Sequence, residues 1–127
     1  MFVSIPNAKN LNVMARNDEA STESEERAAR NEVVFREANE KLESKRLELD
    51  IGGPTPFLCE CGNPDCTELI RLSLEEYEHV RSSAKRFLIA TDHYALNAVT
   101  IEEHAGYVIV EKHGVAGRIA EEENRRT

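Results

Sequence analysis

At 127 residues and 14.3 kDa the chain has room for one domain, or for a small domain with an appendage. Its net charge of −8 is shared by both halves, −3 over residues 1–50 (8 basic, 11 acidic) and −5 over residues 51–127 (8 basic, 13 acidic). An acidic balance of this kind repels phosphate backbones and argues against general nucleic-acid binding. Three cysteines, an odd number, argue against a secreted disulfide framework. Met1–Asn7 has no basic region followed by an apolar run, and no stretch is long and apolar enough for a transmembrane helix. The chain therefore reads as cytoplasmic and reduced, with no membrane association.

Residues 1–15 scatter Phe2, Val3, Ile5, Leu11, Val13 and Met14 without a period, and Pro6 with three asparagines predicts an unstructured or loosely docked start. From Arg16 to Asp50 the chain turns to Glu, Arg, Ala and Lys without glycine or proline, which predicts a long helix. Ser21 or Ser24 is a candidate cap should the first turns fray. Ala28, Phe35, Leu42 and Leu49 recur every seven residues, with Ala38 and Val34 widening the stripe. The stripe fits either packing on the chain's own domain or a dimeric coiled coil, although Asn31, Lys45 and Arg46 stand where a tight coiled coil prefers leucine. Glu32–Arg36 and Glu37–Lys41 are spaced as helix-stabilising pairs. Ile51-Gly52-Gly53-Pro54-Thr55-Pro56 ends the helix and reads as a hinge. The predicted division is thus an N-terminal segment, 1–50, and a small zinc-binding unit, 54–127.

In the second part, Phe57-Leu58 and Thr67–Leu72 read as short strands on either side of a cysteine loop. Ser73 and Glu76 form a capping-box pattern ahead of a helix whose apolar face is Leu74, Tyr77, Val80 and Ala84. Phe87–Ala90 reads as a short buried strand, and Ala98–Glu103 with Tyr107–Lys112 as a hairpin turning at His104-Ala105-Gly106. A short helix or frayed tail spans Val115–Arg126. The fold class is α+β: a long N-terminal helix, then a zinc-stabilised unit of short antiparallel strands and one or two helices.

All three cysteines fall in Cys59-Glu60-Cys61-Gly62-Asn63-Pro64-Asp65-Cys66. Gly62–Asp65 is turn chemistry that folds the third thiolate back toward the first two. Three thiolates and one imidazole are a common tetrahedral set for structural zinc, one ion per chain. Three free thiols so close together would be open to oxidation, and an iron–sulfur cluster usually takes four cysteines. His79, His93, His104 and His113 are the candidate fourth ligands. His79 lies off the apolar face of its helix, His104 in a turn and His113 in a connecting loop. His93 follows a buried strand whose rigid end aims it at the neighbouring hairpin, so Cys59, Cys61, Cys66 and His93 are the favoured set. Asp92 offers a partner for a ring N–H of His93.

The stretch Phe57-Leu58-Cys59-Glu60-Cys61, then Cys66, then Leu74–Arg81, resembles a family of short uncharacterised bacterial proteins, mainly actinobacterial. The likeness returns at Arg86-Phe87, Asp92-His93 and Tyr107–Lys112, and at Arg30–Glu32 and Phe35–Glu40 in the helix, covering about residues 25–125. Where the family has Pro-Gly-His, this chain has Thr91-Asp92-His93, so the histidine matches and the two residues before it do not. The resemblance implies one site built from Cys59, Cys61, Cys66 and His93, and implies no activity.

A closed four-ligand zinc leaves no position for a reacting water. No cytidine-deaminase, P-loop, dinucleotide-binding or nucleophile-elbow pattern is present. The expected function is a non-enzymatic zinc-binding regulatory or adaptor protein whose 16–50 helix self-associates or docks a protein partner. A zinc–thiolate redox or metal sensor is the alternative, ahead of a zinc enzyme or a nucleic-acid reader. No small-molecule substrate is identifiable.

Overall fold

The computed structural model describes the backbone of residues 7–124 and the side chains of residues 23–124. Residues 1–6 and 125–127, and the Ser21 side chain considered as a cap, lie outside the described part. Helix α1 runs from Asn7 to Glu48, 42 residues, about 63 Å at 1.5 Å per residue. It therefore begins within the stretch expected to be loose, because no proline or glycine interrupts residues 7–15. Its C-terminus is a Schellman turn: Ile51 N–H donates to Arg46 O and Asp50 N–H to Leu47 O, with Asp50 left-handed at φ 54°. The helix is thus stopped by an aspartate in the position glycine usually takes, two residues before the glycines begin.

The chain then turns back along α1. Strand β1 (Thr55–Leu58) pairs antiparallel with β2 (Leu69–Leu72), Thr55 opposite Leu72 and Leu58 opposite Leu69. Residues 59–68 form the loop at the far end of this hairpin. Helix α2 (Leu74–Val80) follows with the expected capping box: Ser73 Oγ accepts from Glu76 N–H, and the Glu76 carboxylate accepts from Ser73 N–H. The helix stops at Val80, so Ala84 lies beyond it in the connection to β3 (Arg86–Ala90). Strands β4 (Ala98–His104) and β5 (Tyr107–Lys112) form the predicted hairpin, and the second sheet has the order β3-β5-β4, antiparallel throughout. Helix α3 (Gly114–Glu122) closes the structure. No helix among the described residues is long and apolar enough to cross a membrane.

The core joins Phe57, Leu72, Tyr77, Val80, Phe87–Ala90, Ile109, Val110, Ile119 and Ala120, with Phe57 and Tyr77 stacked at 4.2 Å. Against it α1 buries an unusual face: Ala29 and Val33, but also Glu32, Arg36, Asn39 and Glu43. The seven-residue stripe is displaced from this face; Leu49 is 58% exposed, and Ala28, Phe35 and Leu42 are only half-buried. Polar side chains dock the helix, and each needs a partner once water is gone. Arg36 Nη1 donates to Ala84 O at 2.7 Å and Nη2 to Ala120 O at 3.0 Å, with the guanidinium 4.8 Å from the centre of the Phe87 ring. Glu32 meets Lys112 of β5 at 2.6 Å, both side chains about 1% exposed. Glu32 and Arg36 are thus spent on tertiary partners, not on the intrahelical pair their spacing suggested.

Candidate metal centre

The hairpin register fixes where the cysteine loop begins. With Leu58 paired to Leu69, Cys59 N–H donates to Glu68 O at 3.2 Å and closes the neck of the loop. Asn63 then makes the turn that carries Cys66 back: its Oδ1 accepts from Asp65 N–H and its carbonyl from Cys66 N–H. From the other side β3 delivers His93. The strand ends at Ala90, Asp92 takes a left-handed φ of 72°, and His93 N–H returns to Ala90 O at 3.0 Å. The ring Nδ1 of His93 lies 3.5 Å from the Sγ of Cys59 and 3.5 Å from that of Cys66. One donor atom each from Cys59, Cys61, Cys66 and His93 falls within 4.8 Å of the others. The four residues favoured from the sequence thus come together, and this cluster could hold one metal ion.

The remaining histidines stand elsewhere. His79 Nε2 and His104 Nε2 lie 2.7 and 2.9 Å from the two carboxylate oxygens of Glu102, and His104 stacks on Tyr107. His113 is the N-cap residue of α3, with no side-chain capping bond. Among the described residues no hydrogen bond joins Asp92 to the His93 ring.

Burial pushes the Cys59 thiol up to about 12, and the Cys61 thiol also rises, again chiefly through burial. Without a cation these sulfurs would keep their protons; a coordinated metal reverses that preference and holds them as thiolates. The Ala90 N–H, 3.2 Å from Cys59 Sγ, is placed to support the negative charge.

Spacing did not show what fixes the loop. Glu60, between the first two cysteines, is fully buried. Its carboxylate accepts from Tyr77 Oη at 2.7 Å, Asn39 Nδ2 at 2.8 Å and Leu88 N–H at 2.9 Å, while its own N–H donates to Leu88 O at 2.7 Å. Burial raises its pKa, opposed by these hydrogen bonds. Asn39 of α1 also brackets the peptide of Leu58, donating to its carbonyl and accepting from its N–H, both at 2.8 Å. At Gly62 (φ +80°) a Cβ would sit 2.7 Å from Glu32 Cγ and 3.2 Å from Ala28 O, so glycine lets the loop rest directly on α1. The available clue was Asn39, a poor helix former in mid-helix.

No family model matches the chain, and neither a curated protein nor a solved structure does.

Proposed function

We propose that the cluster is a structural zinc centre in a small non-enzymatic protein that works through protein contacts, as an adaptor or regulator. The observation that carries the reading is the spacing of the donors. A tetrahedral zinc with bonds of about 2.3 Å to sulfur and about 2.05 Å to nitrogen separates the two by about 3.5 Å, the separation between His93 Nδ1 and two of the sulfurs. Four protein donors fill the coordination shell and leave no place for a substrate or a reacting water. The metal would hold the hairpin tip to the end of β3, supplying cohesion to a core closed in part by charged side chains. An outward apolar set near the end of α1, with Leu47 63% and Leu49 58% exposed and Ile51 next to it, supports a contact role for this helix.

Native mass spectrometry on protein purified without added metal tests the centre. The expected result is one zinc per chain, lost in Cys59→Ser and in His93→Ala together with cooperative unfolding. A metal-free wild type that unfolds cooperatively would overturn the reading. Zinc retained by His93→Ala with an unchanged fold would mean an open site, favouring the sensing alternative.

A further inference from the structure

The four ligands of the proposed zinc centre are held with unequal firmness. Cys59 is buried and Cys61 and Cys66 are half-buried, on a loop closed by Cys59 N–H to Glu68 O and anchored through the buried Glu60. His93 is exposed and stands on the arm from Thr91 to Asn97 that joins β3 to β4. The chain bends through a left-handed residue near each end of this arm, Asp92 at φ 72° and Asn97 at φ 56°, a conformation that Asp and Asn tolerate better than most. Between the bends Tyr94 is 76% exposed, and neither it nor Ala95 makes a hydrogen bond among the described residues. The far end is fastened. Asn97 Nδ2 donates to Glu25 Oε2 of α1 at 2.7 Å, and its carbonyl accepts from His113 N–H at 3.0 Å. Leu96 O accepts from Lys112, itself paired with Glu32.

A ligand on an exposed arm with few hydrogen bonds is the one that local opening frees first. The imidazole is also neutral, so separating it from a dication costs less than separating a thiolate. The Glu25–Asn97 bond ties this arm directly to α1. We infer that Glu25 and Asn97 form a clasp that keeps His93 in place, so that α1 sets how long the centre holds its metal. Both are positioning residues, since neither supplies a donor to the cluster. The inference rests on the zinc reading and deepens it by naming how the same site is regulated. Coupling of this kind is reciprocal. A partner whose Arg or Lys takes the Glu25 carboxylate shortens the metal's residence, and loss of the metal weakens the hold of Asn97 on Glu25.

The test follows zinc transfer from the zinc-loaded full chain to an excess of pyridylazoresorcinol, a coloured chelator. The rate of global unfolding, extrapolated from urea, is measured on the same samples. Asn97→Asp keeps the size and the tolerance of a left-handed φ, but sets a carboxylate against Glu25. It is expected to speed transfer about tenfold, as for other residues that orient a metal's ligands. Global unfolding should change less than about threefold, the scale of a single contact at a half-buried position. Glu25→Gln combined with Asn97→Asp lets the glutamine amide donate to the new carboxylate. That double variant is expected to return transfer to within about twofold of the wild type. Transfer no faster than global unfolding in every variant would overturn the clasp, because the metal would then leave only from the unfolded chain. Equal transfer in wild type and Asn97→Asp, or no rescue in the double variant, would overturn it as well. Zinc content separates the two readings: a chain that holds one zinc but shows equal rates rejects the clasp alone. A chain that takes up no zinc rejects the zinc centre, and the clasp with it.

Discussion

An asparagine in the middle of a 42-residue helix sits against its own propensity, and at position 39 the reason lies outside the helix. Its amide makes three contacts of 2.8 Å, two to the Leu58 peptide and one to the Glu60 carboxylate. Removing it leaves a part-buried N–H and carbonyl of Leu58 and a buried carboxylate oxygen of Glu60 each short of a partner, whereas an exposed helical Asn→Ala would stabilise slightly. Asn39→Ala is expected to cost about 2–4 kcal/mol in urea unfolding; a loss below about 0.5 kcal/mol would show that water takes over these bonds. The contrast with the cysteines explains what was legible at this scale. Cys59, Cys61 and Cys66 declare themselves because soft ligands are rare and here crowd into eight positions. Glu60 does not, since a carboxylate in an acidic chain carries no signal and its partners come from positions 39, 77 and 88.

Helix α1 shows how an element can be foreseen while its working face is missed. Absence of glycine and proline announced the helix, but the seven-residue recurrence of Ala28, Phe35, Leu42 and Leu49 pointed to a neighbouring stripe. The buried face is built of Glu32, Arg36 and Asn39, whose partners are 80, 48 and 19 or more positions away along the chain. Hydrophobic periodicity cannot register a face that is charged. The Glu32–Lys112 pair has a testable consequence for this element. Burial raises Glu32 from 4.5 to about 7 and lowers Lys112, so desolvation outweighs the attraction within the pair. Lys112→Met alone is expected to destabilise by about 3–5 kcal/mol, whereas Glu32→Met with Lys112→Met should come within about 1 kcal/mol of the wild type or exceed it. The pH dependence has a fixed sign. Because folded Glu32 holds its proton above the ordinary 4.5, stability falls as pH rises from about 4.5 to about 7 and then levels. Urea midpoints across that window should drop in the wild type relative to the double variant; parallel curves would refute the raised pKa.

For the molecule as a whole, the order of elements from β1 to α3 follows turn and cap signals that are local in sequence: the Ser73–Glu76 box, the Gly106 turn, the glycines and prolines of residues 52–56. What joins them is not local, and the sequence left open whether the helix packs at home or on another chain. In the structure α1 supplies Ala29, Val33, Arg36 and Asn39 to the same interior that β3 and α3 line. Residues 54–127 expressed alone, with zinc supplied, are therefore expected to give a poorly dispersed amide spectrum and no cooperative melt. A well-dispersed fragment spectrum would mean that the helix is an accessory and not a wall.

The glycine contact between the cysteine loop and α1 also bears on transferability. A ten-residue metal loop looks like a cassette that could be spliced between two strands of any host. Here Gly62, its fourth residue, presses on the backbone and Glu32 side chain of a helix from elsewhere in the chain, with no room for even a methyl group. A graft carrying residues 55–72 alone would bring the three cysteines and leave behind both His93 and the surface that shapes the loop. The transplantable unit is the loop together with two turns of α1 and the end of β3 that carries His93.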